Sequence, residues 1–279
     1  MIDKTKQPLC GLPEVLPFES PGSWLSRAAQ SQGVHAAELL RHLGLQPTVD
    51  VDFEFLSERF RELARICDLG PNAFAEARRL MASVRTIDPK GDKFLFRLKR
   101  NARYRVCPRC IGGCRTPHFT LQCRLEAWRS CPAHRCMMEE DCWRCGAALT
   151  LPLSPGIDEP RDAHAHSLAQ CLHCGAKHRD APLANLEIGG ERFDAFERLI
   201  IDNGHAVPAA LFQRRVIIQG GRTGSLVCLA QLCKMGLLAR KGYGPTAAKW
   251  RARGDDQAKS AARGQAQSAL GQSQFDHAR

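Results

Sequence analysis

Four pairs of soft metal-ligating residues, each separated by two positions, lie between residues 107 and 174 of this 279-residue chain. They are Cys107-Pro108-Arg109-Cys110, Cys131-Pro132-Ala133-His134, Cys142-Trp143-Arg144-Cys145 and Cys171-Leu172-His173-Cys174. Two intervening residues make a tight turn that sets both donor atoms on one edge of a tetrahedron, and two such turns complete a four-ligand zinc site. Gly146 and Gly175, each directly after a pair, suit the turn of a zinc knuckle. Chain order gives the simplest assignment: Cys107, Cys110, Cys131 and His134 hold one structural Zn2+, and Cys142, Cys145, Cys171 and Cys174 hold a second. An interleaved pairing, 107/110 with 142/145 and 131/134 with 171/174, satisfies the spacing too. Sequential pairing is preferred because it needs no crossed connection.

Other donors stand nearby: Cys114, His118, Cys123, Cys136, His164, His166, His173 and His178. Their irregular spacing makes them bystanders, with Cys114 and His118 the first substitutes for an assigned ligand. Cys228 and Cys233 lie on an apolar stretch and read as small core residues. A catalytic zinc keeps three protein ligands and an open position, usually beside a Glu or His base. Both sets here are complete and rich in thiolate. A deaminase needs a His-x-Glu upstream of Pro-Cys-x-x-Cys, and the chain has no His-x-Glu. It has no Walker-type glycine loop either. The residues point to a non-enzyme.

Charge suggests the partner. Forty Lys+Arg against 29 Asp+Glu give a formal +11, which favours polyanions through phosphate contacts and counterion release. From Arg97 to Arg135 ten basic residues face a single acid, Glu126. Arg97, Lys99, Arg100, Arg103, Arg105, Arg109, Arg115, Arg124 and Arg129 are the candidate nucleic-acid contacts, with Arg135 closing the run. The alternative is a basic surface that only keeps the protein in solution. No segment has the apolar core of a signal peptide or the length of a membrane span, so a cytoplasmic location without membrane attachment is expected. In that reducing compartment the 14 cysteines serve better as ligands than as disulfides.

The elements that must position these residues are mostly helical. Residues 23–29 and 34–43 carry apolar positions at helical spacing on either side of Gly33, a helix-turn-helix pattern that is equally the pattern of a plain αα-hairpin. Residues 50–62 predict a helix with one apolar and one solvated acidic face; Asn72 to Val84 predicts another. Beyond the cysteines, Phe193–Ile201, Ala209–Ile218 and Ser225–Leu238 read as helices. From Arg251 large apolar residues almost vanish, and a disordered tail is expected. The fold class is therefore mainly α with small zinc-binding lobes. Four regions are expected: an N-terminal helical domain with a helix-turn-helix-like pair (1–103), tandem zinc knuckle or ribbon modules (104–180), a helical C-terminal region (181–250) and a tail (251–279).

Two blocks resemble the TniQ family, the target-selection proteins of transposons. The first is Leu16-Pro17-Phe18-Glu19-Ser20 with Ser23-Trp24-Leu25 and Arg27. The second is Tyr104-Arg105-Val106-Cys107-Pro108-Arg109-Cys110, then Cys131-Pro132-Ala133-His134, then Cys142-Trp143-Arg144-Cys145-Gly146. Where the family usually has a Trp eight residues before the Cys-Pro-x-His pair, this chain has Cys123, with Trp128 nearer. The resemblance implies a non-catalytic adaptor that links target DNA or an RNA-guided targeting complex to an AAA+ transposition regulator ATPase. It also implies a possible head-to-tail homodimer through the N-terminal domain. The competing reading is a stand-alone zinc-containing DNA-binding transcriptional regulator.

Overall fold

The computed structural model describes residues 9–46, 50–54, 63–98, 101–151, 167–186, 193–218 and 220–256. Helices dominate, with three two-stranded antiparallel hairpins among the described residues. Helix α1 (Pro21–Gln32) starts with Pro21 in its first turn and Ser20 at its N-cap, whose Oγ accepts from the Ser23 N–H at 3.1 Å. It stops at Gly33 in the left-handed conformation, φ +63°. Helix α2 (Ala36–His42) follows directly and packs on α1. Trp24, Leu25, Ala28 and Ala29 of α1 and Leu39 and Leu40 of α2 are all buried. The short α3 (Val51–Glu54) and α4 (Ala75–Ile87) complete the N-terminal helices. Trp24 meets Phe74, which leads into α4, edge to face at 5.5 Å.

The predicted acidic face of residues 50–62 does not hold where it is described: Asp50 and Asp52 are buried, and only Glu54 is exposed. Residues 55–62 lie outside the described residues.

Hairpin β1 (Arg97–Leu98) with β2 (Asn101–Ala102) leads into α5 (Pro108–Gly113), which carries the first Cys pair. Hairpin β3 (Ser130–Cys131) with β4 (Cys136–Met137) carries the second, in register Cys131↔Cys136.

The C-terminal helices differ from expectation. One helix, α6 (Ala195–Gln213), runs through both Gly204 and Pro208. Asp194 caps it, accepting from the Glu197 N–H at 2.7 Å while Glu197 accepts from the Asp194 N–H at 3.3 Å. Residues 215–218, expected in a helix, are instead strand β5 (Arg215–Ile218), paired with β6 (Arg222–Ser225). The β-branched run Val216-Ile217-Ile218 before Gly220-Gly221 is a hairpin signal, and it outweighs the helical spacing. Helix α7 (Leu226–Lys234) ends before Gly236, φ +74°, earlier than the predicted Leu238.

The N-terminal and C-terminal helices share one core. Leu80, Met81 and Val84 of α4 are in the same buried cluster as Val207 and Leu211 of α6 and Leu226 and Leu229 of α7. Residues 247–256 are helical too, so regular structure continues past Arg251, where the tail was expected to begin. Trp250 buries its ring beside Met137, Phe193 and Ile201, and Arg251 pairs with Glu139 at 2.5 and 2.9 Å. Burial of that single Trp and an ion pair anchor a stretch whose composition looked unstructured. Residues 257–279 lie outside the described residues.

Candidate metal centres

Cys107 is the N-cap of α5, and its Sγ accepts from the Cys110 N–H at 3.5 Å. The first turn of α5 thereby puts both sulfurs on one side. The β3–β4 hairpin supplies the other two donors: Cys131 at the end of β3 and His134 in the turn, which Arg135 closes at φ +46°. The four donor atoms converge. His134 Nδ1 lies 3.5 Å from Cys107 Sγ, 3.2 Å from Cys110 Sγ and 3.5 Å from Cys131 Sγ, with Cys110 and Cys131 sulfurs 3.6 Å apart. Zinc bonds of about 2.3 Å to sulfur and 2.0–2.1 Å to nitrogen set tetrahedral edges of roughly 3.8 Å (S–S) and 3.6 Å (S–N). The observed edges fit a central cation of that size.

The second centre consists of two matching knuckles. The Cys142 N–H donates to the Ala147 carbonyl at 2.8 Å and the Gly146 N–H to the Cys142 carbonyl at 2.8 Å. The Cys171 N–H donates to the Ala176 carbonyl at 2.9 Å and the Gly175 N–H to the Cys171 carbonyl at 2.8 Å. Gly146 and Gly175 sit at φ +71° and +68°, a conformation a side chain would strain. Cys142 and Cys174 sulfurs are 3.6 Å apart, as are those of Cys145 and Cys171. In both centres all four donor atoms lie within 4.8 Å of one another. The groupings follow chain order, the sequential one of the two pairings that the spacing allowed.

Crowding so many thiols has an electrostatic consequence. In the first centre hydrogen bonds from Cys110, Cys131 and Cys136 hold the Cys107 thiol far below its ordinary value, and the Cys107 contact drives Cys110 and Cys136 up. Without a cation only one sulfur can carry charge comfortably. A divalent cation lets all of them ionise. The donor set, thiolate with one imidazole or thiolate alone, fits a soft tetrahedral ion.

The remaining donors stand aside. Cys136 Sγ is 3.7 Å from Cys107 Sγ but belongs to neither four-atom cluster. Cys114 contacts His118 at 3.5 Å, Cys123 contacts Thr120 Oγ1 at 3.6 Å, and His173 is exposed. Burial pushes the His178 imidazole down to about 4, so it packs as a neutral side chain. His164 and His166 lie outside the described residues.

The basic run divides. Arg105, Arg124 and Arg129, expected to contact nucleic acid, are buried, the first two completely. Contrary to that expectation, none of the three can present its guanidinium to a phosphate. Arg124 Nε is 2.7 Å from Asp52, and its other nitrogens reach Asp50 and the Phe96 and Arg103 carbonyls. Arg105 pairs with Glu140 at 2.8 Å and Glu126 at 3.3 Å. Arg129 pairs with Glu126 and donates to the Pro245 and Arg240 carbonyls at 3.1 and 2.9 Å. Arg97 and Arg103 are half-buried, paired with Asp50 at 2.6 Å and with Asp141. Arg109, Arg115 and Arg135 are exposed, and Lys99 and Arg100 lie outside the described residues.

Burial pushes Asp50 up, but the charges of Arg124 and Arg97 outweigh it and hold this carboxyl below its ordinary value. The network spans some seventy residues of chain. No local pattern around Asp50 or Asp52 announces it.

The N-terminal block proves to be a clasp. Glu19, buried, accepts from Arg27 and from Ser23 Oγ at 2.9 Å. Ser20 Oγ meets Tyr104 OH at 3.2 Å, the Ser20 N–H donates to the Phe119 carbonyl at 2.9 Å, and the Phe119 N–H donates to Ser23 Oγ at 2.9 Å. Trp24 Nε1–H donates to the Pro13 carbonyl at 2.8 Å. The start of α1 is thus fixed to the lobe that holds the first centre.

The TniQ family model matches residues 12–138. This segment, under half of the chain, is similar to that family. The TniQ segment contains the clasp, the whole first centre and most of the buried ion network, while the second centre lies beyond it. No curated protein matches the chain. Among the described residues no helix is long and apolar enough to cross a membrane.

Proposed function

We propose that this chain is a non-catalytic zinc-binding adaptor in DNA transposition, linking target DNA or a targeting complex to an AAA+ transposition regulator. The observation that carries the reading is a complete four-donor cluster inside the TniQ segment, joined to the N-terminal helices by buried hydrogen bonds. Zinc is the favoured ion because it takes four thiolates, or three thiolates and an imidazole, in tetrahedral sets with these edge lengths. With four protein donors per ion, its task is structural: binding free energy becomes folding free energy for lobes with small cores of their own. The lobes then offer a rigid platform.

In this reading α1 and α2 serve as a helix-turn-helix-like docking pair. The exposed face of α2 carries Glu38, Arg41 and His42, a mixed charge that suits a protein partner better than a phosphate backbone. Three buried arginines also weaken the case for a stand-alone DNA-binding regulator built on residues 97–135. The test is affinity capture from the native host with the tagged, zinc-loaded chain. Co-purification of an AAA+ ATPase supports the adaptor; repeated capture of DNA alone, with no ATPase, overturns it.

A further inference from the structure

From Asn203 to Gly254 the chain contains no Asp or Glu, yet it holds nine Lys or Arg. Two of these are neutralised across the fold: Arg251 by Glu139 and Arg253 by Glu197. Arg214, Arg215 and Arg222, around the β5–β6 hairpin, are exposed, and no ion pair involves them among the described residues. This imbalance lies well outside the basic run of residues 97–135.

The hairpin has two unlike faces. Val216 is buried, and both it and Ile218 pack on the shared core beside α7. The register pairs Arg215 with Ser225 and Ile217 with Thr223 on the opposite face, and all four are exposed. Ile217 is 83% exposed, the most open large apolar side chain on the described surface. Strand geometry puts Arg215 and the turn-proximal Arg222 roughly 10 Å apart along the ribbon, at a rise of about 3.4 Å per residue. The exposed face thus sets an apolar side chain among hydroxyls with Arg215 at one end, while Arg222, paired with Ile218, projects from the edge of the turn end; this is a poor solvent face and a good groove-reading one.

We propose that the β5–β6 hairpin is a double-stranded DNA-binding ribbon, with Arg215 and Arg222 on phosphates and Ile217, Thr223 and Ser225 facing base edges. The major groove of B-form DNA, about 12 Å wide, admits a two-stranded ribbon. The deep, narrow major groove of A-form RNA does not. Apolar contact to a thymine methyl and hydroxyl contact to base edges are the chemistry this face offers. The core behind Val216 and Ile218 keeps the ribbon rigid, so little ordering entropy is lost on binding.

The inference rests on the adaptor reading only in taking DNA as the target, and the two fail separately. Fluorescence anisotropy with the zinc-loaded full chain and a labelled duplex is measured from 50 to 200 mM salt. Each phosphate contact adds about 0.9 to the log–log salt slope, so Arg215→Gln with Arg222→Gln should lower it by about 1.8. The loss of affinity across that salt range then shrinks by about twelvefold. Ile217→Ser should weaken binding without changing the slope. Arg109→Gln with Arg115→Gln on the metal lobe serves as the control and should leave the slope intact. An unchanged slope in the hairpin variant, a loss confined to the control, or equal binding of an A-form RNA duplex overturns the proposal. ATPase capture by the hairpin variant at the wild-type level, alongside a lost slope, assigns the effect to DNA and leaves the adaptor reading standing.

Discussion

Replacing Arg124 by Met separates the two roles an arginine in a basic run can have. Its guanidinium is buried between Asp50 and Asp52, stacks 5.0 Å from the Tyr104 ring centre and donates to two carbonyls. Met fills much of the volume, so the main loss is charge. Asp50 keeps Arg97 at 2.6 Å, whereas Asp52 keeps only the Gly22 N–H at 2.7 Å and the Tyr104 hydroxyl. Asp52, which burial already raises above its ordinary value despite Arg124, becomes a buried carboxyl without a counter-ion, left to hold an unpaired charge or to take up a proton. Breaking one side of such a pair costs about 3–5 kcal/mol. With a urea m-value of about 3 kcal/mol/M for a chain of this size, the midpoint should fall by about 1–1.7 M. Urea unfolding of the zinc-saturated protein, followed by circular dichroism, measures it. Asp52→Asn combined with Arg124→Met should recover a substantial part, because the stranded carboxylate is gone. The salt slope of DNA binding should not move. A midpoint shift worth under about 0.5 kcal/mol together with a slope reduced by about one would refute the structural role and restore the phosphate contact.

Other consequences follow from the same geometry. Cys107→Ser and Cys171→Ser should each lower bound zinc by about one ion per chain, read by metal analysis, while Cys136→Ser leaves the content unchanged. Gly204→Ala should destabilise by about 1–3 kcal/mol in thermal or urea unfolding, since a Cβ there collides with the Ala127 carbonyl and forces α6 away. Asp50 has a folded pKa below its ordinary 3.8, so its contribution is present above that value and is lost as pH falls through the lower folded one. Asp50→Asn should therefore flatten the acid loss of stability below about pH 4 relative to wild type, and parallel curves would contradict the network.

What was legible in the sequence was whatever a few neighbouring residues decide. A knuckle needs two ligands, a two-residue gap and a following glycine, all within six positions; Cys142 to Ala147 and Cys171 to Ala176 fold as their letters indicate. Helix α1 announces itself through Ser20, Pro21 and Gly33 for the same reason. Segment 215–218 carried both signals, helical spacing and a β-branched run before two glycines, and the packing of Val216 on α7 decided for the strand. Residues 251–256 seemed too polar to fold, yet Trp250 and Arg251 find partners more than a hundred residues earlier.

Charge was the least legible property of all. Along the chain Arg105, Arg109, Arg115, Arg124 and Arg129 look alike, and composition counts them alike. Tertiary structure buried three of them against Asp50, Asp52, Glu126 and Glu140 and left two in solvent. A buried guanidinium survives only where the fold delivers a carboxylate to it, and those carboxylates come from up to 74 positions away. The ligand spacing by itself determined that this protein has two four-donor centres; only the packed structure decided which of its charges face the outside.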